Sequence, residues 1–106
     1  MTAIVISEFM DETAVAALKD RHSTLYDPTL VDRPADLAAA VAGARALVVR
    51  NRTQVRGRLL DGAAALEVVG RLGVGLDNID LDACKARSIA VIPATGANDL
   101  SVAEYV

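Results

Sequence analysis

Short apolar runs alternate with amphipathic segments along the whole of this chain, and that alternation restricts the fold more than any other feature. Ala3 to Ser7 (AIVIS), Ser23 to Tyr26, Ala46 to Val49 (ALVV), the segment through Leu66, Val68 and Val69, and Ile89 to Ile92 have strand length and carry apolar residues at consecutive positions. Strands of that kind are buried on both faces, which is the pattern of a parallel sheet covered by helices. Between them lie segments of helical period: Asp11 to Lys19, with Val15, Ala16 and Leu18 toward the sheet; Pro34 to Gly43, bracketed by its proline and glycine; Val55 to Ala64, weakened by Gly57 and Gly62; and Leu81 to Arg87. The expected fold is α/β: a three-layer, flavodoxin-like domain whose five-stranded parallel sheet has the order 2-1-3-4-5, with helices on both faces.

A chain of 106 residues makes one domain, and a composition that is 53% hydrophobic with no Trp and one Phe gives it an aliphatic core of small side chains. A net charge of −3 without blocks of like charge supplies no general attraction to nucleic acid or to an acidic membrane. No window reaches the roughly 18 apolar residues of a spanning helix, and Met-Thr-Ala-Ile leads straight into a strand. The expectation is a cytoplasmic protein. Cys84 excludes an internal disulfide and reads as a small buried apolar side chain.

In such a fold, ligands collect at the carboxyl ends of the strands. The loops there are Ser7-Glu8-Phe9-Met10, Arg50-Asn51-Arg52-Thr53, Gly70 to Gly75, and Pro93 to Asn98. The third is the most distinctive: in LEVVGRLGVGLDNID an apolar strand meets Gly70, Gly73 and Gly75, which remove side chains so that backbone amides can approach an anion. A tight turn would also account for the glycines. The stretch is no dinucleotide fingerprint, because G-x-G-x-x-G counted from Gly73 would need glycine where Asn78 stands. Arg50, Arg52 and Arg56 form a small cationic cluster able to hold a carboxylate, phosphate or sulfonate, although loop arginines ordinarily just solvate a surface.

GRLGVGLDNID, the helix DACKAR, the strand IAVIPA and the segment GANDLSVAE together resemble the NAD-dependent D-2-hydroxyacid dehydrogenases, which include phosphoglycerate, glycerate, sulfolactate and formate dehydrogenases. The resemblance is specific from Val48 to Glu104 and covers the family's N-terminal substrate-binding region. It implies a substrate-binding domain over residues 1–99 and, over 100–106, the cut start of a helix leading to a nucleotide-binding domain. Ser101 and Glu104 give that start a capping box.

By the same resemblance, Arg50 and Asn51 hold the distal anion of the substrate. The amides of Val74 and Gly75 bind its carboxylate, and Asn98 contacts it beside the nicotinamide. From the residues alone, Asn98 could equally stabilise the turn before the helix. Arg52 reads as structural, and Asp77, Asn78 and Asp80 as caps and braces of the turn. Ser88 stands where relatives have glycine to end a helix in the left-handed conformation, so strain or an alternative cap is expected there. Tyr105 replaces a common histidine.

The family's nucleotide loop, catalytic arginine, acidic residue and histidine come later in the chain than residue 106. His22, before the second strand, reads as a surface residue at the opposite edge of the sheet. The expectation is half a substrate pocket for a small anionic 2-hydroxy or 2-oxo acid. No catalytic residue, no metal and no cofactor are expected on this stretch, with NAD serving a homodimeric parent enzyme. The wording RNRTQVR and PATGAND inclines toward sulfolactate-type members. Two alternatives belong to other classes. A free-standing flavodoxin-like binding module lacks the residues it needs: no Ser/Thr-rich loop follows the first strand, and Arg50 and Pro93 stand where a receiver domain has its aspartate and lysine. An assembly unit would self-associate through an exposed hinge surface.

Overall fold

The computed structural model describes residues 2–72 and 77–94, with side chains given through Ile92. Five strands, β1 (Ile4–Ile6), β2 (Thr24–Tyr26), β3 (Ala46–Val49), β4 (Val68–Leu72) and β5 (Ala90–Ala94), form one sheet in the order β2-β1-β3-β4-β5. Every neighbouring pair is parallel: Val5 lies between Leu25 and Leu47, and Leu47 pairs Val69, which pairs Val91. The expected fold and strand order are therefore present.

Alternation along each strand divides the core in two. Ile4, Ile6, Ala46, Val48, Val68 and Leu72 point to the face covered by α1 (Glu12–Arg21), where they meet Met10, Val15 and Leu18. Val5, Leu47, Val49 and Val69 point to the opposite face and pack on three further helices. These are α2 (Pro34–Val41), which contributes Leu37 and Val41, α3 (Arg58–Gly62), which contributes Leu59 and Leu60, and α4 (Leu81–Ala86), which contributes Cys84. Asp11 caps α1 through the amides of Thr13 and Ala14, and Asp80 caps α4 through Ala83. Burial pushes the Cys84 thiol above its ordinary range, in keeping with its apolar reading.

Three local expectations are corrected. The helix expected over Val55 to Ala64 is reduced to α3, because Gly57 takes a φ of +58° and breaks the chain's path just before it. Val55 instead pairs with Ile79 in a parallel bridge, its amide donating to Asn78 O at 2.8 Å while Asp80 N donates to Val55 O at 2.9 Å. Gly70 belongs to β4, in register with Val48 and Ile92, and not to the turn that follows. Pro93 does not stop β5: on an edge strand a missing N–H costs no ladder bond on the open side, and the strand continues to Ala94. A single 3-10 turn at Leu30–Asp32 precedes α2 and had no sequence signal strong enough to announce it.

Ser88 has a φ of +59° and ends α4 as expected of a position that favours glycine. Its amide donates to Lys85 O at 3.1 Å and that of Ile89 to Cys84 O at 2.8 Å, the two bonds of a Schellman cap. Ile89 and Cys84 are both buried in the same core cluster, supplying the apolar contact that accompanies such a cap.

Candidate functional site

Parallel strands put the loops after β1 and β3 side by side at the carboxyl edge, and here the structure builds its most constrained polar cluster. Glu8, two residues beyond β1, is 4% exposed. Its Oε2 accepts from Arg50 N at 2.7 Å and Thr53 N at 3.0 Å, and its Oε1 accepts from Arg52 N at 3.0 Å. One carboxylate thereby fixes three of the four amides in the loop after β3. Burial works to raise the Glu8 pKa, but the backbone bonds from Thr53 and Arg50, the Thr53 hydroxyl and the Arg52 amide together outweigh it and hold the carboxyl below the usual glutamate range.

Three more hydrogen bonds brace the same loop. Ser7 Oγ and Thr53 Oγ1 share a hydrogen bond of 2.8 Å. From the far side, Asn78 Nδ2 donates to Arg50 O at 2.9 Å and Thr53 O at 2.8 Å, so the β4–α4 connection grips the loop by its carbonyls. The bracing role expected of Asn78 and the capping role expected of Asp80 are present; among the described residues Asp77 contributes its carbonyl, which accepts from Arg56 Nη2 at 2.6 Å.

With its backbone tied inward, the loop offers side chains outward. Arg50 and Asn51 are exposed, and neither side chain has a hydrogen bond or ion pair among the described residues. Arg52 is different: its Nη2 lies 2.5 Å from Asp32 Oδ1, an ion pair in keeping with a structural reading. Beside the loop, a cleft of about 710 Å³ separates α2 from the 52–59 segment, with Leu37, Ala38 and Leu59 on its floor and Arg52, Arg56 and Arg58 at its edge. Arg50 and Asn51 do not line it. Val74, Gly75 and Asn98, the other expected substrate contacts, lie outside the described residues, as do Gly73, Ser101, Glu104 and Tyr105. His22 caps the C-terminal end of α1, half-buried at the amino edge of the sheet and away from this cluster.

Glu8 is the residue that the sequence reading missed. Its signal was available in principle, since an acidic residue two positions beyond a fully apolar strand in a covered parallel sheet stands at the edge of the core. A buried carboxylate of that kind must find donors.

The parallel sheet in the order β2-β1-β3-β4-β5, covered by helices on both faces, defines a flavodoxin-like α/β domain. The model of the D-isomer specific 2-hydroxyacid dehydrogenase catalytic domain matches residues 4–106, and the chain belongs to that family. It is 59% identical over 106 residues to the (S)-sulfolactate dehydrogenase of Chromohalobacter salexigens, covering all of this chain and 34% of that enzyme. It is 39% identical over 107 residues to the D-3-phosphoglycerate dehydrogenase of Mycobacterium leprae, covering 99% of this chain and 20% of that enzyme. Among solved structures it superposes on the NAD+-bound 3-phosphoglycerate dehydrogenase of Entamoeba histolytica with a TM-score of 0.71 at 23% identity, covering 98% of this chain and 36% of that one. The chain thus spans about a third or less of the curated relatives it matches. Among the described residues, no helix is long and apolar enough to cross a membrane, and no group of three or more metal-ligating side chains occurs.

Proposed function

We propose that this chain is the substrate-binding domain of a dehydrogenase that interconverts a D-2-hydroxy acid carrying a second anionic group, such as sulfolactate or phosphoglycerate, with its 2-oxo acid. In this reading residues 1–99 form the domain and residues 100–106 begin a helix leading to a nucleotide-binding domain, where NAD is held in the intact cytoplasmic enzyme. The supporting observation is Arg50: an exposed guanidinium with no partner among the described residues, at the carboxyl end of β3, on a loop whose backbone is fixed from beneath. A guanidinium so placed is a strong partner for a sulfonate or phosphate, and Asn51 beside it adds amide donors.

The carboxylate of the acid belongs on the amides of Val74 and Gly75, and Asn98 meets the substrate beside the nicotinamide. Hydride and proton transfer fall to residues beyond this stretch, since an acid/base and a cofactor site are required and none is assigned to it. The similarity to a sulfolactate dehydrogenase at 59% identity favours a sulfonate as the distal group.

A titration of the chain with sulfolactate, phosphoglycerate and NADH, followed by residue-resolved chemical shifts, tests the proposal. Shifts centred on Arg50, Asn51, Val74, Gly75 and Asn98 with either acid, and none with NADH, are expected. Binding of NADH alone would sink it. Arg50→Ala should weaken the dianionic acid by about 1–3 kcal/mol. The same affinity in that variant would remove Arg50 from the site.

A further inference from the structure

We propose that Glu8 is a positioning residue for recognition of the distal anion, acting through the backbone of the loop that carries Arg50 and Asn51. The inference rests on the reading of Arg50 as a substrate contact and goes beyond it, to what makes that contact possible. A loop with free amides is itself an anion trap, because successive N–H groups form a concave cradle. Here the amides of Arg50, Arg52 and Thr53 all point at one buried carboxylate, and only the Asn51 amide is left without a partner among the described residues.

Two consequences follow from that geometry. The loop presents no backbone cradle to a ligand, so the distal group is read by side chains alone. The guanidinium of Arg50 also starts from a fixed Cα, because its residue is held at both ends: its N–H by Glu8 at 2.7 Å and its carbonyl by Asn78 at 2.9 Å. A planar, bidentate donor is sensitive to where its stem begins. Release of the amides would free the stem and, at the same time, open a competing and unselective anion site on the backbone.

Glu8→Gln separates this role from simple loss of fold. The side chain keeps its size, but one of its two polar atoms becomes a donor. Oriented to keep the bonds to Arg50 and Thr53, it presents an N–H₂ group to the Arg52 amide. Affinities of the wild-type chain, Glu8→Gln and Arg50→Ala for sulfolactate and for lactate, which lacks the second anion, are measured by chemical-shift titration, and amide hydrogen exchange of residues 50–53 is followed in each.

Glu8→Gln is expected to lower sulfolactate affinity by roughly 10-fold or more, to leave lactate affinity within about 2-fold, and to speed exchange at Arg52, so that the preference for the dianion collapses. A variant that weakens both acids equally, or neither, overturns the proposal. So does unchanged exchange at Arg52. If Arg50→Ala keeps the wild-type preference, the substrate reading fails and this inference falls with it. If Arg50→Ala loses the preference and Glu8→Gln keeps it, the inference alone fails.

Discussion

The two ends of β3 each use a glutamate, and they use it in opposite ways. At the amino end, Glu67 makes a forked ion pair with Arg45, Nε to Oε2 at 2.6 Å and Nη2 to Oε1 at 3.2 Å, with both side chains 54% exposed. At the carboxyl end, Glu8 is buried and bonds three backbone amides, with no cation among its partners in the described residues. Both carboxyls are held below the usual range. The surface pair gains Coulomb energy in high dielectric and loses much of it to solvent and side-chain entropy. The buried carboxylate satisfies groups that would otherwise be stranded away from water. One decorates the sheet; the other determines the shape of its working edge.

That contrast is open to direct attack. The largest effect should come from Glu8→Ala, which orphans three amides at once and should cost about 2–4 kcal/mol in chemical denaturation. A loss as small as a typical surface change would show that the loop finds other partners. Asn78→Ala removes the opposing grip on the Arg50 and Thr53 carbonyls and should cost about 1–3 kcal/mol by the same measurement.

A pH series sharpens the comparison. Because the folded pKa of Glu8 is depressed, its contribution is complete above the unfolded value of about 4.3 and disappears as pH falls through the lower folded value. The stability gap between wild type and Glu8→Gln should therefore be constant near neutrality and close below about pH 4.3. A gap that persists there would mean that the charge is not what matters. Ser88→Gly should stabilise the chain by about 0.5–1 kcal/mol, since the Schellman cap asks a left-handed conformation of a residue with a Cβ. The smallest change belongs to Glu67→Gln, whose unfolding midpoint should be indistinguishable from wild type at moderate salt.

The sheet was legible because strand burial writes itself as consecutive apolar residues, and the alternation with helices leaves few topologies. Ser88 was legible through the resemblance, since it stands where relatives have glycine and so marks a backbone state that serine does not prefer. Local competition was harder to read. Val55 and Leu59 suit a helix, yet Gly57 breaks it and the Val55–Ile79 bridge takes up the preceding backbone. Gly70 looks like the start of a turn in one dimension, while the pairing of β4 with both neighbours draws it into the sheet.

At the candidate site, exposed cations drew notice because their chemistry points outward. Glu8 did not, because its partners are amides 42 to 45 residues away and backbone groups leave no trace in composition.

The division of labour in the loop after β3 also bears on how such a domain could be re-engineered. Glu8, Thr53 and Asn78 act as a chassis, engaging main chain and one another, whereas Arg50 and Asn51 ride on it as interchangeable fittings. On the proposed reading of Arg50 and Asn51 as contacts to the acid, a library confined to positions 50 and 51 should therefore sample new acids on an unchanged backbone. The same diversity spread over positions 8, 53 and 78 would mostly yield chains that have lost the mount.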